Sequence, residues 1–383
     1  MMLSNSDVAE LTDWRRDLHR SPEVSGEECE TAARVVSALS HLKPDKLLTG
    51  LGGHGVAAVW NGAAPGDTIM FRAELDALPI DEVGQPPWRS TIPNKGHMCG
   101  HDGHMTILMG LARLIARQRP ARGRVVLMFQ PAEETGAGAA LVIQDPRYPA
   151  LKSDWAYALH NMPGLRLGHV TMTPGTMMCA SQGLRVTLTG RTAHASMPET
   201  GISPVHAVAR LIPALLALGP GGPITEAFRM VTITHARVGE PAFGISPGAA
   251  ELWVKLRTRD DSAMAALYAD ATALITKEAT AEGLAAAFAT QDAFNATVNH
   301  PAAIAHIAAA LDALNIPHSA ENLPLRGSED FGRFGQDGTS SAMIFLGSGE
   351  NIPTLHNPDY DFPDALIGTG VAIFHRLLRD HLG

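Results

Sequence analysis

Residues 96–118 read GHMCGHDGHMTILMGLARLIARQ, and this stretch joins a cluster of cysteine and histidine to an apolar segment. From residue 103 to residue 118 the apolar side chains recur at helical spacing, which predicts an α-helix. Short apolar runs on either side, at 68–75 and 124–129, predict buried strands. This alternation favours an α/β fold, with a sheet covered by helices on both faces.

Composition and charge exclude several classes of function. A chain of 383 residues is long for one hydrophobic core, so two domains are expected. The net charge of −9 argues against nucleic acid as a partner, because phosphate binding requires clustered Lys and Arg. We find no secretory signal and no apolar run long enough to span a membrane. Three cysteines in a chain of this length fit a reducing compartment, so a cytoplasmic protein is expected.

A different pattern occupies the middle of the chain. The predicted elements are a strand at 182–190, a helix at 203–218, strands at 229–238 and 250–258, a helix at 262–282 and a strand at 285–291. This order, β-α-β-β-α-β, is the split ferredoxin-like arrangement. The α/β pattern resumes after it. We therefore predict a discontinuous larger domain at 1–180 and 294–383, into which a smaller α+β domain at 181–293 is inserted.

The cluster of cysteine and histidine has two possible interpretations. Cys99 and His101 are two residues apart, so they can converge on one ion only from a loop or an extended segment. Thiolate and imidazole are both good ligands for ions of the Zn²⁺ class. By itself the cluster fits a metal site and a polar loop at a helix start equally well. His104, in the first helical turn, is better placed to support such ligands than to join them.

A pair of glutamates strengthens the metal reading. Glu133 and Glu134 follow the predicted strand at 124–129 directly. Adjacent carboxylates can divide the work, because one can bind a metal while the other takes a proton from the attacking water. The alternative is a solvated pair on an exposed loop, which the position just after a buried strand disfavours.

Further polar side chains stand at the ends of other predicted strands. His160 ends the strand at 155–159, and His356 lies in a second Leu-His-Asn tripeptide near the C-terminus. Glu74 and Asp76 lie at the end of the strand at 68–75, where they either orient metal ligands or pair with Arg72. One such histidine is usually structural. Four segments that each present His, Cys or Glu at a strand end indicate a common site.

These residues resemble the M20 family of metallopeptidases, and within it the amidohydrolase branch of hippurate hydrolases, N-acetyl-diaminopimelate deacetylases and auxin-conjugate hydrolases. The resemblance runs from about residue 14 to the end. It is carried most specifically by Cys-Gly-His-Asp-Gly-His at 99–104 and Gln-Pro-Ala-Glu-Glu at 130–134. The other matching stretches are RRDLHRSPEVSGEE (15–28), FRAELDALPID (71–81), ALHNMPG (158–164), GRTAHASMPETGISP (190–204), GSEDFG (327–332) and LHNPDYDF (355–362). The resemblance implies a di-metal, aminopeptidase-like catalytic domain and an inserted ferredoxin-like lid, which usually forms a dimer contact.

Carried over residue by residue, the resemblance implies a two-metal site and a general base. Glu133 is the implied base, which takes a proton from water and passes it to the leaving amine. Asp76 is a further catalytic candidate, on its position at the strand end and not on the resemblance, as a side chain that orients the ligands. The thiolate favours Zn²⁺, while a mixed N/O/S set also accepts Mn²⁺, Co²⁺ or Ni²⁺. The implied ligands are Cys99, His101, Glu134, His160 and His356.

The resemblance also assigns two residues of the lid. His194 matches a histidine that stabilises the tetrahedral oxyanion, often in the active site of the partner subunit. Arg257 matches an arginine that receives the substrate carboxylate, although an ordinary strand-end charge fits it equally well. The branch commonly has His where this chain has Glu199, and Asn near the position of Gly244. Both departures lie in the lid, so they leave the chemistry intact and the substrate preference open.

The expected protein is therefore a homodimeric hydrolase that cleaves N-acyl or N-aroyl amino acids into a carboxylate and a free amino acid. A dipeptidase or carboxypeptidase with the same metal chemistry is the first alternative. A catalytically silent protein that binds acyl amino acids is the second, which the changed lid positions leave open.

Overall fold

The computed structural model describes residues 2–336 and 338–383. The helices are α1 (Asn5–Arg20), α2 (Cys29–Ser40), α3 (His101–Arg117), α4 (Gly138–Gln144), α5 (Val205–Leu218), α6 (Asp261–Ala281), α7 (Pro301–Leu314) and α8 (Leu366–Leu382). The strands are β1 (Lys46–Leu51), β2 (Gly55–Asn61), β3 (Ala64–Glu74), β4 (Arg122–Gln130), β5 (Trp155–Pro163), β6 (Val170–Thr171), β7 (Gly175–Met178), β8 (Ala180–Thr189), β9 (Ala193–His194), β10 (Arg229–Val238), β11 (Ile245–Ser246), β12 (Ala249–Thr258), β13 (Ala285–Phe294), β14 (Thr297–Asn299), β15 (His318–Ser319) and β16 (Ser340–Gly349).

The chain divides into two compact units. The first, called the catalytic unit below, comprises the residues up to Met177 together with 297–323 and 329–383. The second, called the insert, comprises 178–296 and 324–328. Within the described residues, no helix combines the length and the apolar character that crossing a bilayer would need.

An eight-stranded sheet forms the centre of the catalytic unit, in the order β1-β2-β4-β3-β5-β16-β6-β15. Its four middle strands, β4, β3, β5 and β16, are mutually parallel. The apolar runs of these strands are buried because helices pack against the sheet, and Phe71, Phe129 and Tyr157 are wholly excluded from solvent. The predicted α/β class is confirmed. Parallel strands end at one edge of a sheet, so the segments after these strands come together there.

Helices α3 and α1 of the catalytic unit depart from the prediction in different ways. Helix α3 begins at His101, two residues before the predicted start, so the His101 side chain projects from the first helical residue. Helix α1, which the sequence analysis did not predict, begins with a capping box between Ser4 and Asp7. It carries Arg15 and His19 into buried positions.

The insert has its own sheet and its own core. Strands β8, β10, β12 and β13 form a four-stranded antiparallel sheet in the order β10-β12-β8-β13, and the main elements follow one another as β-α-β-β-α-β. Alternate residues of β8, namely Leu184, Val186 and Leu188, are buried in a core with the apolar faces of α5 and α6. The residues between them are largely exposed, as the alternation of the sequence predicts.

Candidate metal centre

The candidate ligands of the catalytic unit gather at the carboxyl edge of its parallel strands. Cys99 lies in the turn before α3, and His101 is the first residue of that helix. Glu134 follows β4, His160 lies within β5 and His356 follows β16. His356 has a φ of 65°, which is uncommon for a residue with a Cβ and is typical of functional positions.

Their donor atoms form two overlapping groups that share the Cys99 thiol. One group contains Cys99, His101 and His160, and the other contains Cys99, Glu134 and His356. Within each group the ligand atoms lie within 4.8 Å of one another. Two three-ligand groups with one shared ligand suit a pair of neighbouring ions, which in two-metal sites are about 3.5–4 Å apart.

Hydrogen bonds fix the tautomers of the two buried histidines. The Nδ1–H of His101 donates to the backbone oxygen of Asp76 at 2.8 Å, and that of His160 donates to the backbone oxygen of Asn161 at 2.8 Å. In the neutral form of each ring, Nε2 therefore carries the lone pair that can bind a metal, and in His101, whose pKa is raised, a metal would take the place of the Nε2 proton. The Nε2 of His101 is buried and has no hydrogen-bond partner among the described residues. This buried nitrogen without a partner fits a metal ligand.

Asp76 holds two of the candidate ligands in place. Its Oδ2 accepts hydrogen bonds from the backbone N–H of Glu134 at 3.0 Å and from the Ser25 hydroxyl at 2.7 Å. Its own backbone oxygen orients His101. Because these hydrogen bonds orient two candidate ligands, Asp76 is placed as a supporting residue of the site.

Both ring nitrogens of His104 are occupied by hydrogen bonds, so neither is free to bind a metal. The Nδ1 of His104 lies 2.6 Å from Oε2 of Glu74, and its Nε2 accepts from the backbone N–H of Asn161 at 3.1 Å. Glu74 also pairs with Arg72, the partner considered from the sequence. His104 therefore braces β5 from below the ligands, and Asn161 additionally donates to the backbone oxygen of Cys99 at 3.1 Å.

Gly100, between the first two ligands, cannot carry a side chain. Its φ is 88°, and a Cβ placed there would lie 2.1 Å from Oδ1 of Asn161. The close approach of Gly100 to Asn161 lets the turn present Cys99 and His101 toward the same edge of the sheet.

The site concentrates acidic groups in a buried place. Burial, and then the charges of Glu329 and Glu134, raise the pKa of Glu133 well above its usual range. Burial raises the pKa of Glu134 to about 7 and raises that of the Cys99 thiol. Burial lowers the pKa of His101, but Asp76 and Glu74 raise it to about 10. Divalent ions would stabilise the deprotonated form of each ligand, so protons and metal compete for the same atoms.

Sequence reasoning missed the groups that shape the loop bearing the two glutamates. Ala132, just before Glu133, has a φ of 51°, and its N–H donates to Oε1 of Glu28 at 2.8 Å. Asp330 contacts residues at both ends of that loop. Both acids lie in stretches that carry the family resemblance, 15–28 and 327–332, but their spacing gives no sign of these contacts.

The two candidate residues of the insert, His194 and Arg257, differ in their hydrogen bonds. His194 is exposed on β9, and its Nδ1 accepts from the backbone N–H of Ser196 at 3.2 Å, so its Nε2 carries the proton and is a donor. Arg257, on β12, uses one terminal nitrogen to donate to the backbone oxygen of Arg326 at 2.7 Å and to the Ser328 hydroxyl at 3.0 Å. Its other terminal nitrogen has no hydrogen bond to the described residues that would compete with a substrate carboxylate.

The two lid departures lie on the surface of the insert. Glu199 is exposed in the short 3₁₀ turn Pro198–Thr200, and a Cβ placed at Gly244 would point into open space. The neighbouring Phe243 is fully exposed. These positions belong to the unit that carries His194 and none of the candidate metal ligands.

The chain matches a family model over most of its length. The model describes Peptidase family M20/M25/M40 and matches residues 70–380. This range includes all the candidate ligands, Glu133 and the whole insert.

Similar proteins of curated function include several amide hydrolases. Hippurate hydrolase of Campylobacter jejuni is 30% identical over 379 residues, a match that covers 96% of this chain and 95% of that protein. IAA-amino acid hydrolase ILR1-like 5 of Arabidopsis thaliana is 30% identical over 400 residues and is covered to 89%. N-acetyl-L-cysteine deacetylase of Bacillus subtilis is 38% identical over 211 residues, and that match spans 54% of this chain and 49% of that protein.

Solved structures share the fold. The Bacillus subtilis YXEP protein, described as a dinuclear metal-binding peptidase from the M20 family, has a TM-score of 0.83 and 24% identity, with 99% of both chains covered. A putative aminohydrolase from methicillin-resistant Staphylococcus aureus has a TM-score of 0.88 and 24% identity, covering 99% of this chain and 97% of that one. On the family match and the full-length relatives, the chain belongs to peptidase family M20/M25/M40.

Proposed function

We propose that this protein hydrolyses the amide bond of N-acyl or N-aroyl amino acids, releasing a carboxylate and a free amino acid. The observation that carries the proposal is the position of the Glu133 carboxylate relative to the candidate ligands. Its buried carboxylate lies beside the two ligand groups, with Oε2 3.9 Å from the ligand nitrogen Nε2 of His101. Relatives named hippurate hydrolase and IAA-amino acid hydrolase support this substrate class.

The residues present fit two divalent ions. Their proposed ligands are Cys99, His101, Glu134, His160 and His356, and the shared thiolate favours Zn²⁺, with Mn²⁺, Co²⁺ or Ni²⁺ as alternatives. When bound, such ions act as Lewis acids that make water more acidic and polarise the amide carbonyl.

Glu133 would move the proton in both halves of the reaction. Its carboxylate takes a proton from water while the water oxygen bonds to the carbonyl carbon of the amide. The carbon–nitrogen bond then breaks, and the proton held by Glu133 passes to the leaving nitrogen. Burial raises the pKa of Glu133, which makes its carboxylate a stronger base than an exposed glutamate. Glu134 is a proposed metal ligand, so the proton transfer is assigned to Glu133.

Two residues of the insert would act on the substrate. His194 can donate through Nε2 to the oxyanion, in its own active site or in that of a partner subunit. Arg257 would receive the substrate carboxylate. Within the described residues β10 and β13 are the edge strands of the insert sheet, and we propose that the insert forms a homodimer contact. Light scattering at micromolar concentration tests the dimer, and a monomer would exclude it.

The compartment is proposed to be the cytoplasm, where thiols stay reduced. Cys29, Cys99 and Cys179 are all free in the structure, and Cys99 must be reduced to bind a metal. A search for the protein in fractionated cells tests this location, and recovery from a secreted fraction would contradict it.

A substrate panel tests the proposed function. Acetyl- and benzoyl-amino acids are compared with dipeptides, using metal-loaded enzyme and the Glu133→Gln variant. We expect turnover of the acyl amino acids by the wild type and its loss, by about 10²- to 10⁴-fold, in the variant with metal retained. Preference for dipeptides would favour a dipeptidase or carboxypeptidase instead. Tight binding of acyl amino acids without any turnover would identify a silent binding protein.

A further inference from the structure

Asp330 connects both ends of the loop that bears the two catalytic-site glutamates. It begins the 3₁₀ turn Asp330–Gly335 and is completely buried in the catalytic unit. The side-chain amide of Gln130, just before the loop, donates to Oδ1 and Oδ2 of Asp330 at 2.9 Å each. The backbone N–H of Ala139, just after the loop, donates to Oδ2 at 2.8 Å. One carboxylate thus fixes where residues 131–138 leave β4 and where they enter α4.

The loop needs such fixing, because part of its backbone is strained. Ala132 has a φ of 51°, a left-handed conformation that costs a residue with a Cβ about 1–2 kcal/mol. Short backbone bonds close the loop on itself, from Gly136 N–H to the Glu133 oxygen at 2.7 Å and from Gly138 N–H to the Ala132 oxygen at 3.0 Å. These bonds hold the shape of the loop, whereas Asp330 ties that shape to the sheet.

Asp330 forms an ion pair with a buried arginine, Arg72, which it shares with Glu74 and Glu329. Arg72, on β3, donates to Oδ1 of Asp330 at 2.8 Å, to Glu329 at 2.8 Å and through Nε to the Gln130 side chain at 2.9 Å. The carboxylates of Glu329, Asp330 and Glu133 lie within 4.8 Å of one another. Without the cation these three acids would repel, so Arg72 permits the close approach of Asp330 to the loop of Glu133.

We infer that Asp330 is a positioning residue for the general base: it holds Gln130 and Ala139 and thereby sets where the Glu133 carboxylate stands. This inference rests on the proposed role of Glu133. Asp330 touches neither the ligand set nor, in this account, the substrate. Its loss should therefore lower kcat while leaving KM and metal content nearly unchanged. A displacement of about 1 Å at a catalytic group can cost about 100-fold in rate.

The experiment measures Asp330→Asn in the full-length, metal-loaded enzyme. The amide keeps the size of the side chain but replaces one acceptor oxygen with a donor, which faces a donor of Gln130, Ala139 or Arg72. The double variant Gln130→Glu/Asp330→Asn reverses donor and acceptor, keeps the total charge and restores the contact. Asp13→Asn, on the exposed side of α1, is the matched control for the substitution itself. If Asp330→Asn proves insoluble, Gln130→Met breaks the same contact while leaving the pair of Asp330 with Arg72.

Asp330→Asn, or Gln130→Met in its place, should lower kcat about 10- to 100-fold, with KM changed less than about threefold and about two ions still bound. In the double variant kcat should recover at least in part. Combined with Glu133→Gln, Asp330→Asn should cause little further loss of kcat, because both substitutions act through the side chain of residue 133. The inference would be overturned by an unchanged kcat, or by a loss of kcat that tracks metal loss or lowered stability. It would also be overturned if Asp330→Asn lowered kcat as much in the Glu133→Gln background as in the wild type. A wild type inactive on every amide would instead refute the proposed function.

Discussion

Cys99 and His160 face each other across 61 residues of sequence, with Sγ of the thiol 3.4 Å from Nε2 of the imidazole. Both groups are buried, and burial raises the pKa of Cys99 while it lowers that of His160. An uncharged thiol beside a neutral imidazole places two donor atoms of a metal site together, with one proton still to be displaced.

Cys99→Ser should weaken metal binding more than any loss of a supporting contact. The hydroxyl has nearly the same size, but it is a poor ligand for ions that prefer thiolate. Cys99 belongs to both ligand groups, so the loss should affect both ions. We expect affinity to fall by more than the roughly 10- to 100-fold typical of contacts outside the ligand set. Elemental analysis after dialysis measures this, with Cys29→Ser on the exposed start of α2 as control. Full retention of two ions would refute the shared role of Cys99.

Metal affinity should rise with pH. The Glu134 carboxyl, with a pKa of about 7, and the Cys99 thiol, with a raised pKa, must lose protons when they bind an ion. The proton on His101, with a pKa of about 10, competes in the same direction. Competition with a chromophoric chelator at pH 6, 7 and 8 should therefore show tighter binding at each step. Affinity that does not change with pH would contradict the arrangement of these ligands.

Asp76→Asn should loosen the metal without removing a ligand. If the amide oxygen takes the place of Oδ2, the amide NH₂ replaces Oδ1 and faces the Nδ1–H of His101, which lies 3.4 Å from Oδ1. If the amide is turned the other way, the N–H of Glu134 and the hydroxyl of Ser25 both lose the one oxygen that they share. We expect metal affinity to fall about 10- to 100-fold, which is the usual effect of a residue that orients ligands. Ser25→Ala is the matched comparison, because it removes the hydroxyl contact alone and should have the smaller effect. Equal effects of both variants would mean that Asp76 acts only on Ser25.

The stability of the catalytic unit should contain a contribution from protonated His19. Burial lowers the pKa of this histidine, but the Asp102 carboxylate, 2.8 Å from its Nδ1, raises it to about 9. The other charged or titratable groups around it are Glu82, Asp361, Arg15 and His97. A raised pKa stabilises the fold fully below the unfolded value near 6.5 and loses this effect as pH rises through 9. The difference amounts to at most about 3 kcal/mol.

Urea unfolding of His19→Gln at pH 6 and at pH 9.5 tests this contribution. The destabilisation relative to wild type should be larger at pH 6, because only there does the wild type gain from the charged imidazole. His41→Gln, at the exposed end of α2, is the control for the substitution itself. A destabilisation that is equal at both pH values would mean that His19 contributes packing alone.

Sequence periodicity and strand ends predicted much of this arrangement. The strand predicted at 124–129 lies inside β4, and the turn after it carries Glu133 and Glu134, because parallel strands deliver the following residues to one edge. The helix predicted from 103 begins at His101, since Gly100 adopts the left-handed conformation that precedes it.

What the sequence could not predict depends on contacts between distant segments. Asp330 reaches Gln130 across 200 residues, and Glu28 reaches Ala132 across 104. Neither acid has a spacing that distinguishes it from a solvated surface group. His104 shows the same limit, since only the positions of Glu74 and Asn161 reveal that both its ring nitrogens are occupied.

The most direct test of the account removes the metal and returns it. Chelated protein is titrated with Zn²⁺ or Mn²⁺ while bound metal and hydrolysis of an acyl-amino-acid panel are measured together. Turnover should return with the ions and reach its maximum at about two ions per chain. Full turnover in metal-free protein, or two bound ions without hydrolysis of any amide, would contradict it.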